Sequence, residues 1–258
     1  MKKVVVIISI TSDIGIALAK KYIQMDYKVI GTYRSSKLLS ELENLNNLKL
    51  YHCDIGNRDD IKNFVEKFAE AGLNWDLFIS CAGIQDPIGS FFSCDFDEWS
   101  DSIHINAIEQ LRILHALYNY KNPKLISGVV YFAGGGTNNA VYNYSAYTAS
   151  KILLIKMCEL LDFENKDMNI FIIGPGWVKT KIHLQTLEAR NRVGDNYQKT
   201  KKFIDDGEGT DKDDIFECIE WLIKQGKKIS SGRNFSVVND SWEGSESKNL
   251  VKELGDDY

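Results

Sequence analysis

The sequence has few of the residues that cross-link or interrupt a chain: its 258 residues include three prolines, five cysteines and four histidines. The cysteines form no Cys-x-x-Cys pair and have no histidine at ligand spacing, so we expect free thiols and no metal site. Basic residues are not in excess, because 31 Lys and Arg face 36 Asp and Glu, for a net charge of −5. This balance argues against a protein that binds nucleic-acid phosphates.

Long apolar runs are also missing. The longest one near the N-terminus, Val4–Ile8, is far shorter than the roughly 20 residues that cross a bilayer. Lys2 and Lys3 carry the charge that begins a signal peptide, but the apolar segment is too short and no small-residue cleavage site precedes Asp13. We therefore expect a soluble, cytoplasmic protein with no membrane partner.

The sequence does contain an alternation of short apolar runs and helical patterns. Runs rich in β-branched and aromatic residues predict seven strands, at Lys3–Ile10, Lys28–Tyr33, Leu48–Cys53, Asp76–Cys81, Gly128–Ala133, Met168–Ile173 and Arg233–Val238. Several runs are continuously apolar, which suits strands that helices cover on both faces. Apolar residues at 3- and 4-residue steps predict helices at Asp13–Met25, Arg58–Ala71, Trp99–Tyr118, Tyr144–Leu161 and Asp211–Ile223. The predicted fold class is α/β, a Rossmann-like doubly wound parallel sheet of about seven strands, with a single domain over residues 1–258.

Two regions depart from this alternation. Residues 179–209 are polar with helical character, and they follow the sixth strand. Because ligands bind at the carboxyl ends of the strands in such folds, we predict that this insertion covers a substrate; a solvated helical excursion is the alternative. The polar tail, residues 241–258, is expected to be partly mobile or to take part in assembly.

The first strand runs into a turn from Ser9 to Gly15 and then directly into a helix. In dinucleotide-binding folds this turn is rich in glycine, and its backbone N–H groups and the helix N-terminus face the pyrophosphate. Gly15 is present here, whereas Ser9 and Asp13 stand at the two other glycine positions. The turn alone is equally consistent with Ser12 or Asp13 as an ordinary helix N-cap.

Tyr147 and Lys151 lie four residues apart, on one face of a predicted helix. A nearby cation favours the phenolate and lowers the pKa of the tyrosine, as a general acid/base near neutral pH requires. Such a spacing is common, and by itself it describes a pair on a helix surface.

Other motifs along the chain change this interpretation. They are Ser80-Cys81-Ala82-Gly83 at the end of the fourth strand, Asp54 after the third, Asn106 in the following long helix, and Gly174-Pro175-Gly176 followed by Thr180 after the sixth. In this order and spacing, the motifs resemble the short-chain dehydrogenase/reductase family over essentially the full length of the chain.

The resemblance implies a role for each matching residue. Tyr147 is expected to be the catalytic acid/base, Lys151 to lower the pKa of that tyrosine and bind the nicotinamide ribose, and Asn106 to anchor a water in the proton relay. Asp54 matches the acid at the adenine, and Thr180 the residue at the carboxamide. The full expected cofactor-binding set is Ser9, Thr11, Ser12, Asp13, Ile14, Gly15, Arg34, Ser35, Asp54, Ile55, Ala82, Gly83, Tyr147, Lys151, Pro175, Gly176, Val178 and Thr180.

One departure from the family pattern concerns the substrate side. The family usually has a serine thirteen residues before the tyrosine, and this chain has Gly134 there. Loss of such a donor lowers rates by on the order of 10²–10³, by analogy with an oxyanion hole. Backbone N–H groups of the triple glycine, or the hydroxyl of Thr137 or Ser145, are the alternative donors. We expect Gly134, Gly135, Thr137 and Tyr147 to contact substrate.

The end of the second strand predicts which cofactor is preferred. NAD-binding members of such folds place an acid there for the ribose 2′-hydroxyl, and Ile30–Ser36 contains none. Arg34 stands where a guanidinium binds a 2′-phosphate, and Ser35 or Ser36 adds a hydroxyl. NADP is therefore expected over NAD, although Asp13 adds a negative charge near the phosphates.

The leading hypothesis is an NADP(H)-dependent oxidoreductase that interconverts a hydroxyl and a carbonyl on a small, sugar-like molecule. The sugar-like character rests on the resemblance of Gly134–Thr137 and Gly176–Thr180 to members of carbohydrate pathways. The alternative is a weak or inactive dinucleotide-binding homologue with a structural or regulatory role, which Ser9, Asp13 and Gly134 favour. The resemblance also implies a homodimer or homotetramer that pairs through the two longest helices.

Overall fold

The computed structural model describes residues 2–43 and 45–256, and within them the backbone forms one parallel sheet. Its strands are β1 (Val4–Ile8), β2 (Lys28–Tyr33), β3 (Leu48–His52), β4 (Leu77–Ser80), β5 (Ser127–Phe132), β6 (Met168–Gly174) and β7 (Asn234–Ser236). They lie in the order β3-β2-β1-β4-β5-β6-β7. The order reverses at β1, so the crevice at the carboxyl ends of β1 and β4 is where such sheets bind ligands.

The strands form where the continuously apolar runs predict them. All five side chains of β1 are buried, and the strand pairs with β2 from Val4 opposite Lys28 and with β4 from Val5 opposite Leu77. The strands β1, β4 and β7 are each shorter at both ends than the apolar runs that predict them. At their carboxyl ends the chain turns away from the sheet into the loops of the cleft.

Helices cover both faces of the sheet. They are α1 (Asp13–Gln24), α2 (Arg58–Glu70), α3 (Phe96–Ile103), α4 (Glu109–Leu117), α5 (Ser145–Glu164), α6 (Ile182–Ala189), α7 (Asn196–Asp206), α8 (Lys212–Gln225), α9 (Lys227–Ser230) and α10 (Ser247–Asp256). Short 3₁₀ turns lie at Ser36–Glu41, Tyr118–Tyr120 and Arg190–Val193. Among the described helices, none is both long and apolar enough to cross a bilayer.

The apolar core is divided between the two faces of the sheet. On one face, Phe64 of α2, Ile113 of α4 and Leu154 of α5 are buried together. On the other, Leu18 of α1 and Ile219 of α8 belong to a second buried cluster. The predicted doubly wound, single-domain α/β fold is thereby confirmed.

The long helix predicted at Trp99–Tyr118 is interrupted. It begins earlier, at Phe96, because the carboxylate of Asp95 caps it by accepting hydrogen bonds from the backbone of residues 97 and 98. A π turn at His104–Ile108 then separates α3 from α4. Apolar spacing does not reveal a π turn, because the single extra residue leaves the pattern on either side nearly unchanged.

Part of the polar tail, within the described residues 241–256, packs on the core. Trp242 is buried and donates its indole N–H to the carbonyl of Val237 at 2.8 Å. Arg233 donates to the carbonyl of Leu254 at 2.8 Å, and Leu250 and Leu254 pack on the core beside α8. The apolar side of the amphipathic α10 supplies these contacts.

Candidate active site

The predicted site residues gather at one edge of the sheet. The turn after β1, the loops after β4, β5 and β6, and the N-terminal half of α5 all lie at the carboxyl ends of the strands. Residue positions far apart in the sequence therefore meet there, as the parallel topology requires.

The turn after β1 keeps the path of a glycine-rich turn despite its substitutions. Ser9 lies at φ +57°, in the left-handed region that glycine adopts at little cost. Its backbone N–H donates to the hydroxyl of Thr32 at 3.0 Å, and its carbonyl accepts from the backbone of Ser12 at 3.0 Å. These two bonds hold Ser9 in a conformation that its side chain disfavours.

Gly15 has a separate, steric reason to be glycine. A Cβ atom at this position would lie 2.7 Å from the carbonyl oxygen of Ile10 and 2.9 Å from its Cα. The start of α1 therefore packs directly on the backbone of the turn. Gly31 in β2 has a comparable role, since a Cβ atom there would lie 2.4 Å from the side chain of Ile10.

The first turn of α1 offers free donors for an anion. The Ser12 hydroxyl accepts from the backbone of Gly15 at 3.0 Å, so Ser12 is indeed the N-cap. The backbone N–H groups of Thr11, Asp13 and Ile14 have no acceptor among the described residues. A pyrophosphate at this helix N-terminus would satisfy them, so the turn fits a dinucleotide even though it is also an ordinary cap.

The carboxylate of Asp13 reaches across to the loop after β6. Its Oδ2 atom accepts a hydrogen bond from the backbone N–H of Lys181 at 2.9 Å. The acid that replaces a glycine thus joins the turn to the segment that follows Thr180, and it places a negative charge beside the free N–H groups.

Lys151 is the most deeply buried charge of the site, with 2% of its surface exposed. Its ammonium group donates to the carbonyl of Phe132 at 2.9 Å, the one acceptor it has among the described residues. Burial lowers the pKa of Lys151 to about 8. An ammonium has three donors, and the hydroxyl groups of a ribose would satisfy the remaining two.

The predicted effect of Lys151 on Tyr147 is not what the protein shows. The ammonium lies 5.6 Å from the centre of the tyrosine ring, yet burial raises the pKa of Tyr147 to about 12. The lysine hydrogen bond goes to the Phe132 carbonyl instead, and the desolvated phenol stays protonated. In this state Tyr147 is suited to give a proton to a carbonyl oxygen.

Asn106 lies in the π turn, and its side chain holds the loop after β4. The carboxamide accepts from the backbone N–H of Ile84 at 2.8 Å and donates to the carbonyl of the same residue at 2.8 Å. A Cβ atom at Gly83 would lie 3.9 Å from both the Asn106 Oδ1 and the Lys151 Nζ atoms. The motif after β4 and the π turn therefore converge beside the lysine, with Ala82 buried behind them.

The triple glycine after β5 packs tightly against the tyrosine at one position only. A Cβ atom at Gly134 would lie 2.5 Å from the Tyr147 hydroxyl oxygen, whereas a Cβ atom at Gly135 would have no neighbour within 4 Å. Thr137 donates to the Gly134 carbonyl at 3.4 Å, and the Ser145 hydroxyl accepts from the indole of Trp99 at 2.9 Å. Both hydroxyls that were alternatives to the missing serine thus have partners within the protein.

The expected adenine end of the site is more open. Arg34 and Ser35 are exposed at the end of β2, and Arg34 makes no hydrogen bond or ion pair with any described residue. Asp54 accepts from the backbone of Gly56 at 3.0 Å, and Ile55 beside it is buried. Of the two serines predicted to help Arg34, the side chain of Ser36 lies outside the part of the structure that is described.

The loop after β6 is fixed by its glycine and by the insertion. Gly176 lies at φ +75°, and a Cβ atom there would lie 2.6 Å from Val238. The Val178 side chain is buried, and its carbonyl bonds the His183 ring at 2.9 Å. That ring stacks on Trp177 with centroids 5.4 Å apart, so the residues from Pro175 to Thr180 are tied to α6.

The insertion contacts the loop that follows β4. Gln185 of α6 accepts from the backbone of Gln85 at 2.8 Å and donates to Asp86 at 2.8 Å. Thr186 donates to the Gln85 side chain at 2.8 Å and shares a buried hydrogen bond with the Tyr144 hydroxyl. The described part of the chain contains no cluster of three or more potential metal ligands.

Several residues of the site have no signal in the sequence motifs. The Phe132 carbonyl and the Lys181 backbone N–H act through the main chain, which sequence patterns do not specify. Gln110 is different, because its side chain bonds the π turn from within the core. The sequence could have indicated Gln110 through its polar side chain, which stands between Asn106 and the apolar positions of α4.

The chain is similar to known proteins of one family. The family described as Enoyl-(Acyl carrier protein) reductase matches residues 9–238. A Dehydrogenase/reductase SDR family protein 7-like of Dictyostelium discoideum is 28% identical over 73% of this chain and 63% of its own length, so the match spans less than two thirds of that relative. Serine 3-dehydrogenase of Agrobacterium fabrum is 24% identical over 95% of this chain and 97% of its own.

The fold also matches solved structures. A short chain dehydrogenase/reductase from Saccharomyces cerevisiae superposes with a TM-score of 0.82, at 20% identity, over 93% of this chain and 97% of that chain. At that identity the likeness concerns the fold alone.

Proposed function

This chain belongs to the short-chain dehydrogenase/reductase family, whose members are NAD(P)-dependent oxidoreductases, and on that premise we propose that it interconverts a hydroxyl and a carbonyl with NADP(H). The observation that carries the proposal is the half-buried Tyr147 next to the buried Lys151, at the same edge of the sheet as the free N–H groups of the β1 turn. A protein that only bound a dinucleotide would not need a protonated phenol at that place.

The nicotinamide group, when bound, supplies the hydride chemistry. In the bound dinucleotide, the backbone N–H groups of Thr11, Asp13 and Ile14 would hold the phosphates, and Lys151 would bind the nicotinamide ribose. Tyr147 gives its proton to the substrate oxygen in reduction and takes it back in oxidation.

The preference for NADP rests on the exposed Arg34 at the end of β2, where no acid stands. A guanidinium binds a phosphate through charge-assisted hydrogen bonds, each of which contributes about 1.5–3 kcal/mol. Replacing Arg34 by Ala should therefore weaken NADPH binding more than tenfold and NADH binding little. Calorimetry of both dinucleotides checks this, and tighter binding of NADH than of NADPH by the unmutated protein would contradict it.

The substrate is proposed to be a small, sugar-like molecule that the insertion covers. The hydrogen bonds of Gln185 and Thr186 to Gln85 and Asp86 support this placement, because they hold α6 against the loop after β4. Gly135 follows the glycine that contacts Tyr147 and is exposed, and a Cβ atom there would have no neighbour within 4 Å, so a substrate can approach the main chain at this position.

Turnover of NADPH with a panel of ketones, including sugar-derived ones, tests the activity. A Tyr147→Phe variant measured on the same panel is the control. The second candidate, a dinucleotide-binding protein without turnover, is favoured by the closed position at Gly134 and by the Asp13 carboxylate. It predicts tight NADPH binding with no oxidation of NADPH above the level of the Tyr147→Phe control.

Assembly into a homodimer or homotetramer is also proposed. Ile152, Leu160 and Phe163 on α5 and Phe96 on α3 are apolar and exposed, and burying them against a second copy would be favourable. Light scattering should give a mass of two or four chains at micromolar concentration; the mass of one chain would exclude it.

A further inference from the structure

Gln110 is a buried polar residue of α4 whose carboxamide is fully engaged. The residue is 1% exposed, and its Nε2 atom donates to the carbonyl of Asn106 at 2.7 Å. The same nitrogen lies 3.2 Å from the Ala82 carbonyl and 3.3 Å from that of Ile105. Its Oε1 atom accepts from the hydroxyl of Ser80, which is also buried, at 2.7 Å.

These bonds join two parts of the site that are distant in sequence. Ser80 and Ala82 belong to the end of β4 and the motif that follows it, and Asn106 belongs to the π turn. A π turn changes the helical hydrogen-bond ladder and leaves carbonyl groups in need of donors. Gln110 supplies such a donor from within the core, where water has little access.

We propose that Gln110 is a positioning residue for the reaction: it fixes the π turn and the Ala82–Gly83 segment against each other and thereby sets the place of Lys151. This inference rests on the proposed function.

The link to the lysine is geometric. A Cβ atom at Gly83 would lie 3.9 Å from Lys151 Nζ and also 3.9 Å from Asn106 Oδ1. Both segments that Gln110 bonds therefore lie close to the ammonium. Lys151 has a single acceptor among the described residues, so the position of its ammonium depends on the segments that surround it. An apolar residue of similar size fills the space at 110 but leaves three carbonyls and the Ser80 hydroxyl without this partner.

A Gln110→Leu variant tests the proposal. We expect kcat to fall ten- to a hundredfold, while cooperative thermal unfolding shows that the fold is retained. Ser80→Ala removes only the bond to Oε1 and leaves the donor to Asn106, so its loss of kcat should be smaller. Unchanged kcat and NADPH affinity in folded Gln110→Leu would overturn the proposal.

A Gln110→Glu variant changes the hydrogen bonds of residue 110 while keeping the size of the side chain. It is also the test to use if Gln110→Leu does not fold. A protonated carboxyl donates to the Asn106 carbonyl and accepts from Ser80, whereas the carboxylate cannot donate. We expect kcat of this variant to approach that of the unmutated protein at low pH and to fall at least tenfold as the carboxyl ionises, a step absent from the unmutated profile. Parallel pH profiles would overturn the proposal.

The positioning role of Gln110 can be tested separately from the proposed function. If the unmutated chain oxidises no NADPH, amide hydrogen exchange still reports on the bonds of Gln110. Gln110→Leu should then speed exchange at residues 82–84 and 104–108 at least tenfold, with no change in α8. Equal exchange in those segments would overturn the positioning role by itself.

Discussion

The turn after β1 and the first two turns of α5 border the same cleft, but they use different parts of the chain. The turn acts through backbone N–H groups and backbone angles, so Ser9 can replace a glycine while two hydrogen bonds keep its φ at +57°. The start of α5 contributes the phenol of Tyr147 and the ammonium of Lys151, and their proposed roles require these side chains themselves. Sites built from main chain tolerate changes of residue type that preserve conformation, and sites built from side chains do not.

The largest effect is expected at Tyr147, whose role depends on its hydroxyl group. Replacing Tyr147 by Phe removes the proton donor and little volume, so kcat should fall about 10²–10⁴-fold. NADPH affinity should change little, because the turn still binds the phosphates. Steady-state kinetics together with fluorescence titration measure both, and a variant that keeps more than a tenth of the activity contradicts the role of Tyr147.

At the triple glycine, the backbone lies directly against the side chain proposed to transfer the proton. A side chain at Gly134 would displace the Tyr147 hydroxyl, so Gly134→Ser should lower kcat by about 10²-fold even though it adds a hydroxyl. The matched change Gly135→Ser meets no atom within 4 Å and should lower kcat less than about tenfold. An increase in activity for Gly134→Ser would show that the closed space opens at little cost.

The buried lysine gives the α5 site a pH signature that the turn lacks. Burial lowers the pKa of Lys151 to about 8, so between pH 8 and its ordinary value of 10.5 the unfolded chain binds more protons than the folded one. The free energy of unfolding should therefore rise with pH in that window, by about 2–3 kcal/mol relative to a Lys151→Met variant. Urea unfolding of both proteins at pH 7 and 10.5 measures the difference, which the buried thiols affect equally. A constant difference would mean that the lysine is hydrated.

Within the turn itself, two glycine changes should act in opposite directions. Gly15→Ala places a Cβ atom 2.7 Å from a carbonyl oxygen and should destabilise the protein by about 1–3 kcal/mol. Ser9→Gly relieves a left-handed conformation and should stabilise it by about 0.5–1 kcal/mol, with NADPH affinity retained. Thermal unfolding of the two variants checks the signs, and a loss of stability in Ser9→Gly would mean that the serine makes a compensating contact.

Much of this architecture is visible in the sequence. Continuous apolar runs such as Val4–Ile8 predict a sheet buried on both faces, and β1 is fully buried at the centre of the sheet. The positions of Tyr147, Lys151 and Asn106 follow from their motifs, and these residues do meet at one edge. The predicted effect of the lysine on the tyrosine was wrong, because the spacing on a helix says nothing about burial.

The alternation of strands and helices follows from the amino-acid sequence alone, since apolar periodicity reflects which face of each element is buried. The sequence motifs also predict which side chains carry proton-transfer chemistry. Three contacts, by contrast, are visible only in the folded protein: Gln110 bonds the π turn, Gly134 packs against the Tyr147 hydroxyl, and Asp13 bonds Lys181. Those contacts join residues 4 to 168 positions apart, and the longest of them forms when the parallel strands bring their carboxyl ends together.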